Sequence, residues 1–149
     1  MALLLVPHDD PRLLALVRAQ EREVMARYGV ADAGPGLGPS STCLLATEDD
    51  DDAGCVGVAP LAPGVGEVKR MYVAPRHRGR RLAARLLAAV EEEALRRGFH
   101  ALRLEAGTQQ PEAVAVYERA GYQRIPCYGN FADDPSTLCF EKHLTEPQG

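Results

Sequence analysis

An arginine-rich turn at residues 78–83, which reads Arg-Gly-Arg-Arg-Leu-Ala, is the segment whose residue types and spacing best suit chemistry. It lies between an apolar run that ends at Val73 and a stretch of helical periodicity. The first turn of a helix has unpaired backbone N–H donors and a partial positive charge, so a phosphate group can bind there. Gly79 lets the backbone approach such a ligand because it has no Cβ, and the arginines add charge-assisted hydrogen bonds. The turn therefore predicts a site for a phosphate-bearing cofactor.

The charge distribution favours a localised anion site over a nucleic-acid surface. The chain has a formal net charge of −4, whereas a generic nucleic-acid binder is usually basic. Its cations are concentrated in one stretch, which contains Lys69, Arg70, Arg76, Arg78, Arg80, Arg81 and Arg85. The phosphate-binding patterns G-x-x-x-x-G-K-S/T and G-x-G-x-x-G are absent. Charge alone leaves a solvated basic helix start as the alternative.

The elements around the turn follow from periodicity and caps. Asp10 as the N-cap and Pro11 in the first turn predict the start of a helix that Gly29 ends. Residues 31–41 form a loop rich in Gly and Pro. Two more helices are predicted at 80–97 and 111–120. The predicted strands are an N-terminal one before Pro7, then 42–47, 55–61, 67–73, 101–105, 122–125 and Thr137–His143.

This order of elements predicts one α/β domain of the α+β type that covers residues 1–149. Runs of strands precede the strand–helix alternation, which indicates a mixed sheet flanked by helices instead of a doubly wound one. A length of 149 residues suits one domain. The acidic run at 48–52, together with Ala53 and Gly54, is expected to form the turn of a hairpin.

Several segments resemble the GCN5-related N-acetyltransferase (GNAT) family. The turn at 78–83 is similar to the family's pyrophosphate motif, Gln/Arg-x-x-Gly-x-Gly/Ala, although Arg81 stands where the motif usually has Gly. Residues 67–75 resemble the preceding strand, and residues 116–122 resemble the family's Tyr-Glu-x-x-Gly-Phe/Tyr segment. The clear resemblance extends from about 67 to 144. It implies a GNAT-like mixed, mostly antiparallel sheet.

The resemblance also implies acetyl-CoA as a co-substrate and no metal. Backbone N–H groups near Met71 and Val73 are expected to hold the acyl carbonyl and the pantetheine arm, and the turn is expected to hold the pyrophosphate. Gln110 stands where an Asn often precedes the last helix of the family. The implied cofactor-binding residues are Met71, Tyr72, Val73, Arg78, Gly79, Arg80, Arg81, Leu82, Ala83 and Gln110.

Direct acetyl transfer to an amine needs a base and an acid. The resemblance implies Glu67 as the general base, directly or through water, because it begins the strand before the motif. The alternative is a strand-edge carboxylate that pairs with a nearby arginine. Tyr117 is the implied acid for the departing thiolate, since an unperturbed phenol is protonated at neutral pH. The alternative for Tyr117 is a tyrosine that only packs on the core.

The sequence does not identify the acceptor. The leading hypothesis is a primary amine of a small molecule, and the alternatives are a protein lysine or N-terminal amine, or a non-catalytic acyl-CoA sensor. The acidic run at 48–52 is either solvated or attracts a cationic acceptor. His77 either contacts phosphate or is solvated, and Tyr28, Tyr128 and Phe131 either line the acceptor site or pack. Nucleic acid is disfavoured because aromatic residues are not interleaved with the arginines.

The cysteines and the termini give weaker signals. No CxxC pair occurs, which argues against a zinc or redox site, and Cys43, Cys55 and Cys139 in apolar strands are expected to be small buried thiols. The short apolar N-terminus lacks the pattern of a signal peptide, and no apolar run approaches the ~18 residues of a membrane span. A cytoplasmic protein without a membrane partner is therefore expected. A homodimer through the final hairpin is left open.

Overall fold

The computed structural model describes residues 1–29, 36–108, 110–129 and 132–144. These ranges contain the strands β1 (Ala2–Val6), β2 (Thr42–Glu48), β3 (Asp51–Ala62), β4 (Val65–Val73), β5 (Ala101–Gly107), β6 (Gln123–Ile125) and β7 (Thr137–His143). The helices are α1 (Pro11–Tyr28), α2 (Leu82–Arg96) and α3 (Pro111–Arg119), with a 3-10 turn at Pro75–His77. This order confirms the predicted fold class. Phe131 and residues 31–35 of the predicted loop lie outside the described residues.

The predicted caps of α1 are present. The Asp10 carboxylate accepts hydrogen bonds from the backbone N–H groups of Arg12 and Leu13, at 2.9 and 3.3 Å. Gly29 ends the helix in the left-handed conformation, with φ +64°, which costs Gly little because it lacks a Cβ. No described helix is long and apolar enough to cross a membrane.

Apolar clusters cover both faces of the sheet. In β2, Cys43 and Leu45 pack with α1, whereas Leu44 and Ala46 belong to the cluster that includes α2. Because successive side chains of a strand point to opposite faces, this alternation assigns α1 to one face and α2 to the other. We refer below to the face opposite α2 as the α1 face.

The sheet has seven strands in the order β1-β2-β3-β4-β5-β7-β6. Every neighbouring pair is antiparallel except β4–β5, which is parallel. The β4–β5 ladder joins only Val65–Glu67 to Ala101–Arg103. Beyond Glu67 and Arg103, the two strands are no longer paired with each other, so a ligand group can enter between them.

A β-bulge in β4 lies beside this gap. Cys55 and Gly57 of β3 pair with Tyr72 and Lys69, so three steps along β4 oppose two along β3, and Arg70 has φ +55°. The bulge reverses the alternation of side chains. Val68 therefore faces α2, whereas Tyr72, four residues later, packs on the α1 face. The sequence pattern of β4 did not reveal this bulge.

Two predicted boundaries were wrong by a few residues. The acidic hairpin turns at Asp49 and Asp50 alone, both with positive φ, and β3 already begins at Asp51. The second helix begins at Leu82 and not at residue 80, because Arg81 is its left-handed N-cap. Arg80 and Arg81 therefore belong to the turn.

The expectation for the cysteines was right for two residues and wrong for Cys139. Cys43 and Cys55 are free and buried, and desolvation raises their thiol pKa values to about 11 and about 12, so both stay protonated at neutral pH. Cys139 instead forms a disulfide with Cys127, with 5.1 Å between their Cα atoms. The two residues are not in a CxxC pattern, and only the β6–β7 hairpin brings them together.

Candidate active site

A cavity of about 990 Å³ lies between α1, the end of β4, the arginine-rich turn and α3. Its walls include all of the predicted cofactor-binding residues except Arg80: Met71, Tyr72, Val73, Arg78, Gly79, Arg81, Leu82, Ala83 and Gln110. The predicted catalytic residues Glu67 and Tyr117 do not line it. They lie near the β4–β5 gap instead.

The arginine-rich turn enters α2 through left-handed backbone. Gly79 has φ +83° and Arg81 has φ +60°. The conformation at Arg81 gives a physical reason for the Gly usual at this position, since a residue with a Cβ pays roughly 1–2 kcal/mol there. Arg81 makes no side-chain cap, and the first backbone bond into the helix runs from the N–H of Arg85 to the Arg81 carbonyl. The amides of residues 82–84 therefore precede the helical ladder and are available to an anion.

Arg78 is held by the protein. Its Nε donates to the Val73 carbonyl at 3.0 Å, and its terminal nitrogen contacts both oxygens of Glu23 at 3.0 and 2.9 Å. Its guanidinium also lies over the Tyr72 ring, 5.6 Å from the centroid. Arg78 thus ties the turn to β4 and to α1.

An ion pair also crosses the cavity between α1 and α3. Arg27 of α1 donates to Glu112 of α3 at 2.7 Å, and it lies 3.8 Å from Glu23 of its own helix. Tyr28, at the end of α1, packs its hydroxyl against Gly107, where any Cβ would overlap it. Tyr28 is therefore a packing residue at the entrance to α3.

The acidic tip of the β2–β3 hairpin binds the basic turn. Asp51 pairs with Arg76 at 2.5 Å and with Nε2 of His77 at 3.3 Å, and Asp49 lies 3.8 Å from Arg80. Hydrogen bonds from Arg76 and His77 hold the pKa of Asp51 below its usual range. Asp51 of the acidic run is thus paired, whereas Asp49 is largely exposed. His77, expected in solvent or on phosphate, is 4% exposed, and its Nδ1 has no partner within the described residues.

In the ladder between β4 and β5, Glu67 is the last paired residue of β4 and lies opposite Arg103. One carboxylate oxygen accepts a hydrogen bond from the Tyr128 hydroxyl at 2.9 Å, and the other lies 3.3 Å from the Lys69 ammonium. The side chain is 14% exposed. Its ionic partner is a lysine of its own strand, not the arginine that the alternative prediction expected.

Tyr117 is buried on the α2 face. Its ring contacts those of Tyr122 and Phe140, with centroids 6.0 and 6.2 Å apart. Burial raises the pKa of Tyr117 above its usual range, with a smaller contribution from the negative charge of Glu105. The hydroxyl therefore stays protonated at neutral pH, close enough to the gap to feel a charge on β5.

Glu105 is a candidate residue that the sequence argument missed. It lies two residues beyond Arg103, so both side chains emerge on the α1 face, just past the end of the β4–β5 ladder. Among the described residues, no hydrogen bond or ion pair reaches its carboxylate. The residue is exposed, yet enough protein surrounds its carboxylate for desolvation to raise its pKa, and the charge of Glu67 adds to the shift. The sequence contained one indication of this site. Apolar and charged residues alternate over residues 102–105, which places Arg103 and Glu105 on the same face of a strand.

The described part of the chain contains no cluster of three or more His, Cys, Asp or Glu residues that could hold a metal ion.

The chain matches known acetyltransferases in sequence and in structure. A sequence model of the Acetyltransferase (GNAT) family matches residues 11–122. An "IAA acetyltransferase" of Azospirillum brasilense is 37% identical over 107 residues, which are 71% of this chain and 70% of that protein. A crystal structure from Klebsiella pneumoniae, assigned to the acyl-CoA N-acyltransferases, has a TM-score of 0.83 and 33% identity over 97% of both chains. A GNAT family acetyltransferase of Elizabethkingia anophelis with acetyl-CoA bound shares the fold, with a TM-score of 0.73 and 16% identity over 96% of this chain and 97% of that one.

Proposed function

Since this chain belongs to the acetyltransferase (GNAT) family and is an acyltransferase, we propose that it transfers an acetyl group directly from acetyl-CoA to the primary amine of a small molecule. The observation that carries the proposal is the cavity of about 990 Å³. It joins the start of α2 to the end of β4, where β4 is no longer paired with β5. A ligand with a phosphate at one end and a thioester at the other matches these two ends.

The turn fits the phosphate end of this co-substrate. The amides of residues 82–84 have no helical acceptor, and Arg81 supplies no competing cap. Gly79 has a positive φ that glycine adopts at low cost, and no described protein atom fills the space where its Cβ would lie. The pyrophosphate would accept hydrogen bonds from these amides and would benefit from the positive end of α2.

The end of β4 fits the acyl end. Beyond Glu67, β4 is not hydrogen-bonded to β5, so that edge of the strand can offer backbone donors to the acyl carbonyl and the pantetheine amides. The Gln20 side chain donates to the Met71 carbonyl at 2.8 Å and steadies the bulge. Donors that are preorganised around a developing oxyanion lower the barrier to acyl transfer.

The reaction then needs three proton transfers. The acceptor ammonium loses a proton to Glu67 through a water molecule, and the amine nitrogen attacks the thioester carbonyl. The C–N bond forms, the C–S bond breaks, and Tyr117 donates a proton to the departing thiolate. The nitrogen loses its second proton as the amide forms, and this proton returns through water to the Tyr117 phenolate. Burial keeps the phenol of Tyr117 protonated at neutral pH, but the raised pKa also makes it a weaker acid than an ordinary tyrosine, so its assignment rests on the family resemblance and not on its pKa.

Glu105 is the second candidate for the proton acceptor. Both oxygens of Glu67 already have partners, whereas Glu105 has none among the described residues. Desolvation raises the pKa of Glu105, which makes it a stronger base than an ordinary carboxylate. The two glutamates lie on adjacent strands of the α1 face, so a water molecule between them could pass the proton to either.

The proposal is tested by measuring thiol release from acetyl-CoA in the presence of each of a panel of amines. Calorimetry measures the binding of coenzyme A in parallel. The panel contains amino acids, polyamines, drug-like amines and peptides with a lysine or a free N-terminus. Cofactor binding with release for a small amine is the expected result. Thiol release with peptides alone would indicate a protein acceptor instead of a small molecule. Binding of coenzyme A without thiol release would favour an acyl-CoA sensor. An absence of binding would contradict the assignment of the turn.

A homodimer through the free edge of β6 belongs to the same proposal. β6 is a terminal strand of the sheet, and only β7 pairs with it. Sedimentation analysis at several concentrations distinguishes a dimer from a monomer.

A further inference from the structure

We infer that Tyr128 is a positioning residue for Glu67 and that the Cys127–Cys139 disulfide holds it in position. The inference rests on the proposed function, because Glu67 matters only if it serves an acceptor amine. It concerns a residue outside the cofactor cavity and a covalent bond that the transfer chemistry does not use.

Tyr128 reaches Glu67 from a distant part of the sheet. It follows β6, and β6 pairs only with β7. The order β4-β5-β7-β6 means that the side chain must pass over β5 to bring its hydroxyl 2.9 Å from the Glu67 carboxylate. The guanidinium of Arg103, on β5, lies 5.8 Å from the centroid of the Tyr128 ring. Tyr128 thus covers the α1 face next to the gap and connects the final hairpin to β4.

The disulfide lies one residue from Tyr128. Cys139 is part of β7, where it pairs in register with Glu105 on one side and with Ile125 on the other. Cys127 is in the segment that follows β6 and is outside the ladder. The covalent bond therefore anchors an otherwise unpaired segment to a central position of the α1 face. Without it, Tyr128 would be held mainly by its hydroxyl and by Arg103.

The hydrogen bond gives Glu67 one orientation. A donor on Oε2 and the Lys69 ammonium near Oε1 leave the carboxylate few alternative rotamers. Desolvation, then the charge of Glu67, raises the pKa of Tyr128 above its usual range, with Glu105 adding to this shift and Arg103 opposing it. The phenol is therefore a permanent donor at neutral pH.

Reduction of the disulfide would release this arrangement. Cys127 is partly exposed, whereas Cys139 is 0% exposed, so a thiolate of a dithiol reductant attacks Sγ of Cys127. Cys139 leaves as a thiolate and takes up a proton. The second thiol of the reductant then attacks the mixed disulfide, so the reductant becomes a cyclic disulfide and Cys127 becomes a thiol. The two electrons and two protons come from the dithiol.

The first test compares the kinetics of the oxidised protein with those of the protein reduced by dithiothreitol. The reductant is removed under argon before the measurement. Tyr128→Phe is expected to lower kcat/KM for the amine by about tenfold or more, which is typical of a lost hydrogen bond to a charged group. Reduction should lower it in the wild type, and should add little in Tyr128→Phe, since both changes remove one interaction. A Cys127→Ser/Cys139→Ser protein should have a low kcat/KM for the amine, and dithiothreitol should not change it. The affinity for coenzyme A should stay unchanged in all of them.

The second test does not depend on activity. Tyrosines labelled with ¹³C at Cζ report the titration of each phenol by NMR, and Tyr128→Phe assigns the signal of Tyr128. In the oxidised protein, Tyr128 should titrate above the usual pH range, and reduction should return it toward that range while Tyr117 stays unchanged. A Tyr128 titration that is the same in both redox states would overturn the inference. A protein that acetylates no amine, yet shows the redox-dependent titration, would instead refute the proposed function alone.

Discussion

Arg81 gives the clearest prediction at the scale of one residue. Its left-handed backbone, φ +60°, is unfavourable for any residue with a Cβ. Arg81→Gly and Arg81→Ala both remove the guanidinium, but only glycine relieves the strain. We expect the glycine variant to be about 1 kcal/mol more stable than the alanine variant in urea denaturation.

The same pair of variants separates two roles of Arg81 in cofactor binding. If its side chain contacts phosphate, both variants should lose affinity for coenzyme A in calorimetry. If the backbone alone binds, the glycine variant should keep the wild-type affinity. Equal stability of the two variants would mean that the left-handed conformation is not maintained in solution.

Glu105 provides a second residue-scale prediction, because its raised pKa makes its charged form unfavourable in the folded protein. For an acid whose folded pKa is raised, stability is lost as the pH rises through that pKa. Glu105→Gln should therefore melt at a higher temperature than the wild type at pH 7, and the difference should vanish below the ordinary glutamate pKa of about 4.3.

Kinetic measurements test whether the destabilised charged form of Glu105 has a role in catalysis. If Glu105 accepts the proton, Glu105→Gln should lose roughly 10²–10⁴-fold in kcat, whereas Glu67→Gln should lose less. The reverse order would assign the base to Glu67. An unchanged melting temperature at pH 7 would refute the claim that the ionised carboxylate is destabilising.

At the scale of elements, the acidic tip of the β2–β3 hairpin should support the phosphate-binding turn. Asp51→Asn removes the ion pair to Arg76 and replaces the carboxylate that lies 3.3 Å from Nε2 of His77. The matched control is Asp50→Asn, since Asp50 has a positive φ that asparagine tolerates and no ion pair within the described residues. We expect roughly a threefold to fivefold weaker affinity for coenzyme A in Asp51→Asn, the range of an exposed ion pair, and no change in the control.

The pH dependence of this contact has a defined sign. Arg76 and His77 lower the pKa of Asp51, so its contribution to stability is present above the unfolded pKa and is lost as the pH falls through the folded one. The difference in stability between the wild type and Asp51→Asn should therefore disappear at acid pH.

Equal affinities of Asp51→Asn and Asp50→Asn for coenzyme A would mean that the hairpin tip has no role in binding.

The sequence predicted elements better than contacts between them. Caps and apolar spacing are local, which is why Asp10, Gly29 and Thr137–His143 were assigned correctly. The bulge at Arg70 depends on the register between β3 and β4, and the disulfide of Cys127 depends on the pairing of β6 with β7. No local pattern contains either. The turn at 78–83 could be proposed as a phosphate site because its motif is contiguous, whereas Glu105 and Tyr128 approach Glu67 only through the order of the strands.

At the scale of the whole molecule, the sheet consists of two parts with a short junction. Strands β1–β4 form an antiparallel unit, β5–β7 form another, and only Val65–Glu67 and Ala101–Arg103 join them in the sheet. The cavity lies where this junction ends, with walls from β4, α2 and α3. A ligand that fills it should therefore stabilise the two parts together.

Hydrogen exchange with and without coenzyme A measures this coupling. At 100 times its dissociation constant, a ligand that binds only the folded state adds about 2.7 kcal/mol to the free energy of unfolding. Amides that exchange only by global unfolding gain this protection wherever the ligand binds, so they do not locate it. Amides that exchange by partial unfolding of one part should gain protection in β2–β4 and in β5–β7 alike, because both parts meet at the cavity. The amides in the first turn of α2 should also gain protection, since they contact the ligand directly. Protection confined to α2 and β4 would mean that the ligand does not bridge the gap, and the thioester would then have to be bound elsewhere than between β4 and β5.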